Sequence, residues 1–344
     1  MQAPTIALTP AFDRHLAAHL TASGVDLSET ARVARDVLAL SDFYLQHPGA
    51  PTPWNQPYCK AAYLSYFLPL NTARLMAVMR DVRRFLPFES VAEVVDFGAG
   101  LGATQWAFEA QTDWSARPLT AVESDPAAQA LYRELQKSLP VKWPIKFAAS
   151  VKPGSNALAV FSYSFLEMQN VLPDLADFSH LLIVEPSTQD CGRKLMQWRS
   201  NFMKKGFAPL APCTHSLECP LLVKSARDWC HMRVHFTPPD WFHGIEERLP
   251  MKNRTLTYSY LLMSRTVSDS SWRGTARAVG DTLVENGKTR QMICRGPERE
   301  FLSWLHKLGT PPAIPHGALI RGVEGTQTKG AELRASPESL TWEF

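Results

Sequence analysis

The spacing of apolar and polar positions changes twice along the chain. Before residue 90 the apolar residues recur at helical intervals. Phe12, Leu16 and Leu20 follow Thr9-Pro10, an N-cap residue with proline at the first helical position, and Gly24 supplies the stop. Similar spacing runs over 28–41 and 58–67, and again from the cap-like Asn71 through Leu75, Val78, Val82 and Leu86. Residues 1–88 therefore predict a helical lead-in, interrupted by the loop HPGAPTPWNQP at 47–57. From residue 91 short apolar runs take over: VAEVVDF (91–97), LTAVES (119–124), ALAVFSYS (157–164) and HLLIVEP (180–186). They alternate with helical stretches such as DPAAQALYRELQKSL (125–139), and VKWPIKFAA (141–149) adds a candidate strand despite Pro144. Alternation of this kind marks βαβ units, so 89–207 predicts a doubly wound, Rossmann-type α/β domain around a parallel sheet.

After about residue 207 the alternation stops. A strand, TLTYSYLLMSR (255–265), and a hairpin, TLVENGKTRQMI (282–293), remain, the latter with Asn286-Gly287 suited to a type I′ turn. The spacing predicts a small β-rich module over 208–310 and, where Pro and Gly replace large apolar residues, an irregular tail over 311–344.

Composition narrows the class. With 344 residues, 45% hydrophobic and 20% charged, the chain is neither disordered nor a coiled coil, and no run of eighteen apolar residues suggests a membrane span. Its start has neither a signal peptide nor a presequence pattern, so the expectation is a soluble protein of the bacterial cytoplasm, or of the mitochondrial matrix if eukaryotic. Charge is uneven: residues 1–192 carry 14 Lys+Arg against 19 Asp+Glu, net −5, and residues 193–344 carry 22 against 14, net +8. A basic half beside a neutral one points to a polyanionic partner.

Two constellations carry candidate chemistry. Asp96-Phe97-Gly98-Ala99-Gly100-Leu101-Gly102 follows an apolar strand and opens a helix, so its backbone can come close to a ligand at the helix N-terminus. The glycines suit either S-adenosylmethionine or a dinucleotide. Asp96, two residues before the first glycine, favours the former, because it is placed to meet the ammonium of a methionine moiety. Glu123, closing the next strand, can accept both ribose hydroxyls. With Phe97 and with Ser164 on the rim after the fourth strand, these residues form the candidate cofactor set. No general base and no methylase tetrapeptide is identifiable at that rim, so the catalytic residues stay unassigned. The second constellation is Cys213-x5-Cys219-x10-Cys230 with Cys294 beside the hairpin. Four thiols suit an iron-sulfur cluster or tetrahedral zinc equally by type, and His215 and His231 allow mixed zinc ligation.

These stretches resemble a known family: the methyltransferase-like proteins of the mitochondrial small ribosomal subunit and their bacterial relatives. The resemblance rests on DFGAGLGATQWA (96–107), LLIVEPSTQDCGRKLMQWR (181–199), PCTHSLECPL (212–221), DWCH (228–231), LTYSYLLMSR (256–265) and Cys294, and it spans roughly 60 to 310. It implies a Rossmann-type methyltransferase fold that binds S-adenosylmethionine, and a [4Fe-4S] cluster on Cys213, Cys219, Cys230 and Cys294. Zn2+ is the alternative occupant. It further implies an assembly or maturation role on the small ribosomal subunit, with its rRNA and assembly intermediates as partners, no membrane, and a monomer off the ribosome. Thr214 stands where the family has proline. Lys204, Lys205, Arg248, Lys252, Arg254, Arg273, Arg277, Lys288, Arg290, Arg295 and Arg299 are then candidates for phosphate contacts, and Trp229, Trp241, Phe242 and Trp272 for base stacking or, more in keeping with a small module, for its core. Two other readings stay open: an active rRNA methyltransferase, and a small-molecule methyltransferase with a structural zinc site.

Overall fold

The computed structural model describes residues 4–137, 141–266, 274–323, 327–334 and 340–343. Trp272, Arg273 and the last residues of the helix expected over 125–139 lie outside them. Four helices open the fold: α1 (Pro10–Ala22), α2 (Thr30–Gln46), α3 (Pro57–Ala62) and α4 (Leu68–Phe85), with a short strand β1 (Thr5–Ala7) ahead of them. Thr9 caps α1 by accepting the Phe12 N–H at 3.3 Å. The helix expected to begin at Asn71 instead runs unbroken from α3. Tyr63–Phe67 form a π-helical turn in which the Leu68 N–H bonds the Tyr63 carbonyl. Pro69 follows and has no N–H for the preceding turn, and the wider π turn absorbs that gap. Asn71 lies inside the helix and accepts from Arg74 Nη1 at 3.1 Å.

The parallel core consists of β2 (Glu93–Phe97), β3 (Leu119–Val122), β4 (Ile145–Ala148), β5 (Ala157–Ser162) and β6 (His180–Glu185), with helices α5 (Ala103–Glu109), α6 (Pro126–Gln136) and α7 (Gln189–Lys204) between strands or after them. Every residue of β6 and all but the last of β5 are buried, as expected of strands covered on both faces. Beyond α7 come β7 (Ala208–Ala211), α8 (Pro220–Val223), β8 (Met232–Thr237), α9 (Asp240–Glu246) and β9 (Thr255–Ser264). The sheet has nine strands in the order β1-β8-β9-β6-β5-β2-β3-β4, and β7 also pairs with β9. β9 runs antiparallel to β6 on one side and to β7 and β8 on the other. It was expected in the cysteine module and instead completes the first sheet, its buried face continuing that of β6.

A second sheet holds β10 (Thr275–Glu285), β11 (Lys288–Cys294), β12 (Glu300–Leu305), β13 (Leu319–Arg321), β14 (Gln327–Lys329), β15 (Glu332–Arg334) and β16 (Thr341–Glu343). The expected hairpin is present, with Glu285 opposite Lys288 across Asn286-Gly287. The tail, expected to be irregular, supplies the last four of these strands. Its residues close a small separate core of Ala276, Ala278, Ile293, Leu302, Trp304, Ile314, Ala318, Ile320, Val323, Leu333 and Leu340. No helix among the described residues is long and apolar enough to cross a membrane.

Candidate functional site

At the C-terminal end of β2, Gly98, Gly100 and Gly102 have φ of +67°, +52° and +79°, a left-handed sequence that lets the chain double back into α5. A Cβ on Gly98 would come within 2.6 Å of the Ser164 Cβ, so the β2 turn and the rim after β5 are in close contact. Ser164 donates from Oγ to the Phe97 carbonyl at 2.5 Å. The Phe97 ring points into the core and stacks on Phe161 at 5.0 Å, so of this residue only the backbone faces the turn. Asp96 is 1% exposed; its Oδ1 accepts from Thr104 Oγ1 at 3.0 Å, and its Oδ2 is buried without a partner. Burial, followed by the charge of Glu123, pushes the Asp96 carboxyl up to about 7. Glu123 closes β3 and accepts the Gly100 N–H at 2.8 Å and the Asp125 N–H at 2.9 Å. All the expected cofactor residues thus meet at one end of the sheet.

Sequence reasoning missed several neighbours. Tyr63, on the π turn, puts its hydroxyl 3.2 Å from where a Gly100 Cβ would stand, and Trp54 lies 4.7 Å from its ring. The helical lead-in therefore walls the glycine turn. Glu167 and Glu185 add two carboxyls to the rim. Desolvation, then the charge of Glu123, lifts Glu167 to about 7 although it reaches solvent. Burial lifts Glu185, which accepts the Leu166 N–H at 3.0 Å, to about 8. Raised carboxyls bind protons more tightly in the folded chain than in the unfolded one. Their stabilising contribution is complete below pH 4, declines as the pH rises, and is gone above pH 8. Relative to wild type, Glu185→Gln is therefore expected to gain in melting temperature from pH 5 to pH 8, because it lacks the Glu185 share of that decline; thermal scans of both proteins across pH check it.

The other constellation forms around α7. Buried positions on this helix are Gly192, Leu195, Met196, Arg199 and Phe202, so an arginine sits on the apolar stripe, a signal available from the sequence but unused. Arg199 donates from Nε to Cys213 Sγ at 3.1 Å and from Nη2 to the His215 carbonyl at 2.7 Å. Cys294 reaches the same place from β11: its carbonyl accepts Thr214 Oγ1 at 2.8 Å, and its Sγ lies 3.4 Å from His215 Nε2. Cys213, Cys219, Cys230 and Cys294 are all buried. Burial raises Cys230 well above the ordinary thiol range, and the sulfurs of Cys213, Cys219 and Cys294 add to it. Cys294 is pushed up by burial and then by Cys213 and Cys219. The loop between Cys219 and Cys230 is pinned by Arg193, which donates to the carbonyls of Leu221, Leu222, Ser225 and Asp228. Among the described residues no group of three or more His, Cys, Asp or Glu side chains is placed to hold a metal ion. Cys59, buried in α3, and Cys191 in α7 stand apart from this group.

The basic residues divide. Lys204, Lys205 and Arg254 are exposed. Arg277, expected to face phosphate, is instead 2% exposed and pairs with Asp81 at 2.8 Å. Arg295 pairs with Glu300, Arg299 with Asp228, and Lys288 and Arg290 with Glu285 and Glu332. Arg248 donates to Thr30 and Lys252 to backbone carbonyls. Of the aromatic residues, Phe242 belongs to the core and stacks on Tyr66, while the half-buried Trp229 and Trp241 donate from their indoles to the Ser187 carbonyl and to Asp13.

A glycine turn after the first core strand, an acid closing the second, and an antiparallel strand slotted between β6 and β7 define a Rossmann-type methyltransferase fold. The family model described as mitochondrial small ribosomal subunit Rsm22 matches residues 57–307, and the chain belongs to that family. Similar solved structures include TrmK of M. capricolum in complex with S-adenosyl-homocysteine (8% identity, 56% of this chain, 68% of that chain, TM-score 0.32). The methyltransferase domain of bacterial CtHen1 is also similar (12%, 57%, 99%, TM-score 0.33). So is the 16S rRNA methylase ArmA (16%, 47%, 92%, TM-score 0.31). No curated protein sequence gives a significant match.

Proposed function

We propose that this protein is an assembly or maturation factor of the small ribosomal subunit that binds S-adenosylmethionine at the glycine turn, holds a [4Fe-4S] cluster on Cys213, Cys219, Cys230 and Cys294, and contacts rRNA. It acts where that subunit is built, in the mitochondrial matrix or a bacterial cytoplasm. The observation that supports this most is the pairing of the glycine turn with four buried thiols, one of which, Cys213, bonds the buried Arg199, in a chain of the Rsm22 family. Each donor set suits its group. The unpartnered Asp96 Oδ2 suits a cationic ammonium, and Glu123 can exchange its two backbone donors for ribose hydroxyls. An all-thiol set beside buried guanidinium suits a cluster, since thiolates bring negative charge that a low-dielectric site must answer. Bound S-adenosylmethionine would supply an electrophilic methyl group. The chain's own part is to orient the nucleoside through Glu123, to neutralise the ammonium through Asp96, and to keep water from the turn with Tyr63 and Trp54.

Anaerobic purification with iron, sulfide and zinc analysis tests the cluster; a colourless, zinc-only protein rejects it. Capture of RNA with the tagged protein tests the partner, and no enrichment of small-subunit rRNA rejects that. Glu123→Ala is expected to weaken S-adenosylmethionine binding about 10- to 100-fold, the loss of two charge-assisted hydrogen bonds, as read by calorimetry. A second reading, active rRNA methylation, is favoured by Glu167 and Glu185, whose carboxyls are raised to about 7 and about 8 at the rim beside the glycine turn. A map of rRNA modifications unchanged by deletion of the protein rejects it.

A further inference from the structure

We propose that Arg199 is the counter-ion of an anionic four-sulfur centre and sets its reduction potential, an inference that rests on the cluster reading above. Its guanidinium is 1% exposed. Among the described residues no carboxylate pairs with it: its partners are Cys213 Sγ at 3.1 Å and the His215 carbonyl at 2.7 Å, and Nη1 is buried with none. The contrast with Arg277 is direct, because that equally buried guanidinium has Asp81 at 2.8 Å. A buried cation left without an anion is costly, and four neutral thiols do not answer it. Four thiolates around a [4Fe-4S]2+ core carry two net negative charges, which do.

Two consequences follow from position. The Nε–H···Sγ bond and the nearby positive charge both stabilise a reduced centre, which carries one more electron, over the oxidised one, and so raise its potential. The planar fork also fixes Cys213 and the His215 carbonyl together, holding one ligand loop in shape. Arg199 is thus a positioning residue toward the centre and touches no substrate.

The test is an anaerobic redox titration of the full chain with dithionite as reductant, followed by electron paramagnetic resonance, alongside iron release to a chelator. Arg199→Met is expected to move the midpoint potential to a more negative value and to weaken metal retention about 10- to 100-fold. Wild-type potential and wild-type iron release in Arg199→Met overturn the inference while the cluster reading stands. Should that variant not fold, Arg199→Gln decides: it keeps polar N–H groups but gives up the charge, so its potential must lie below wild type, and equality overturns the inference. A wild-type protein lacking iron and sulfide overturns both, and the metal analysis reveals this before any variant is made.

Discussion

Asp81→Ala is expected to destabilise the fold by about 3–5 kcal/mol, read as a lower midpoint in urea unfolding. Asp81 sits on α4 and accepts from Arg277 Nη1 at 2.8 Å on β10 and from the Tyr260 hydroxyl on β9. Arg277 also donates to the carbonyls of Pro212 at 3.1 Å and Gly317 at 3.0 Å. One carboxylate thus ties the helical lead-in to both sheets and to the start of the cysteine loop. Removing it leaves a guanidinium in the core with carbonyl partners only, and the penalty comes from that uncompensated charge more than from the lost bond. Taking out both charges in Asp81→Leu/Arg277→Met should recover most of the loss. A single variant within 1 kcal/mol of wild type would mean that water reaches Arg277.

What the sequence made legible follows from where side chains are buried. Strands covered on both faces leave continuous apolar runs, so HLLIVEP and ALAVFSYS stand out and fall on β6 and β5. The glycine turn is legible because left-handed backbone admits few other residues. The four cysteines stand out by type, and the structure buries all four, with Thr214 donating to the Cys294 carbonyl. The tail was not legible. Its strands are three residues each, too short for an apolar run or a repeated period to emerge. The charge count misled for Arg277 because its partner lies 196 positions away, and composition carries no information about pairing at that distance. Tyr63 went unnoticed because its role depends on a π turn that no simple periodicity announces.

Gly102→Ala is expected to cost about 2–5 kcal/mol and to abolish S-adenosylmethionine binding, read by urea unfolding and calorimetry. Two physical effects add. With φ at +79°, Gly102 occupies backbone that an alanine adopts at a cost of about 1–2 kcal/mol. A Cβ there would also lie 2.0 Å from the Tyr132 Cζ and 2.2 Å from its hydroxyl oxygen. Tyr132 cannot simply swing away. Its hydroxyl donates to Gln105 Oε1 at 2.9 Å, its ring packs edge-on against Phe147, and it is fully buried. The turn must move instead, and the turn carries the Gly100 N–H held by Glu123 and the α5 start that brings Thr104 to Asp96. Tyr132→Leu in the Gly102→Ala background should restore part of the stability by clearing the ring. It should not restore binding, because the left-handed strain at residue 102 persists. Equal recovery of both would place the whole effect in the clash and none in the backbone.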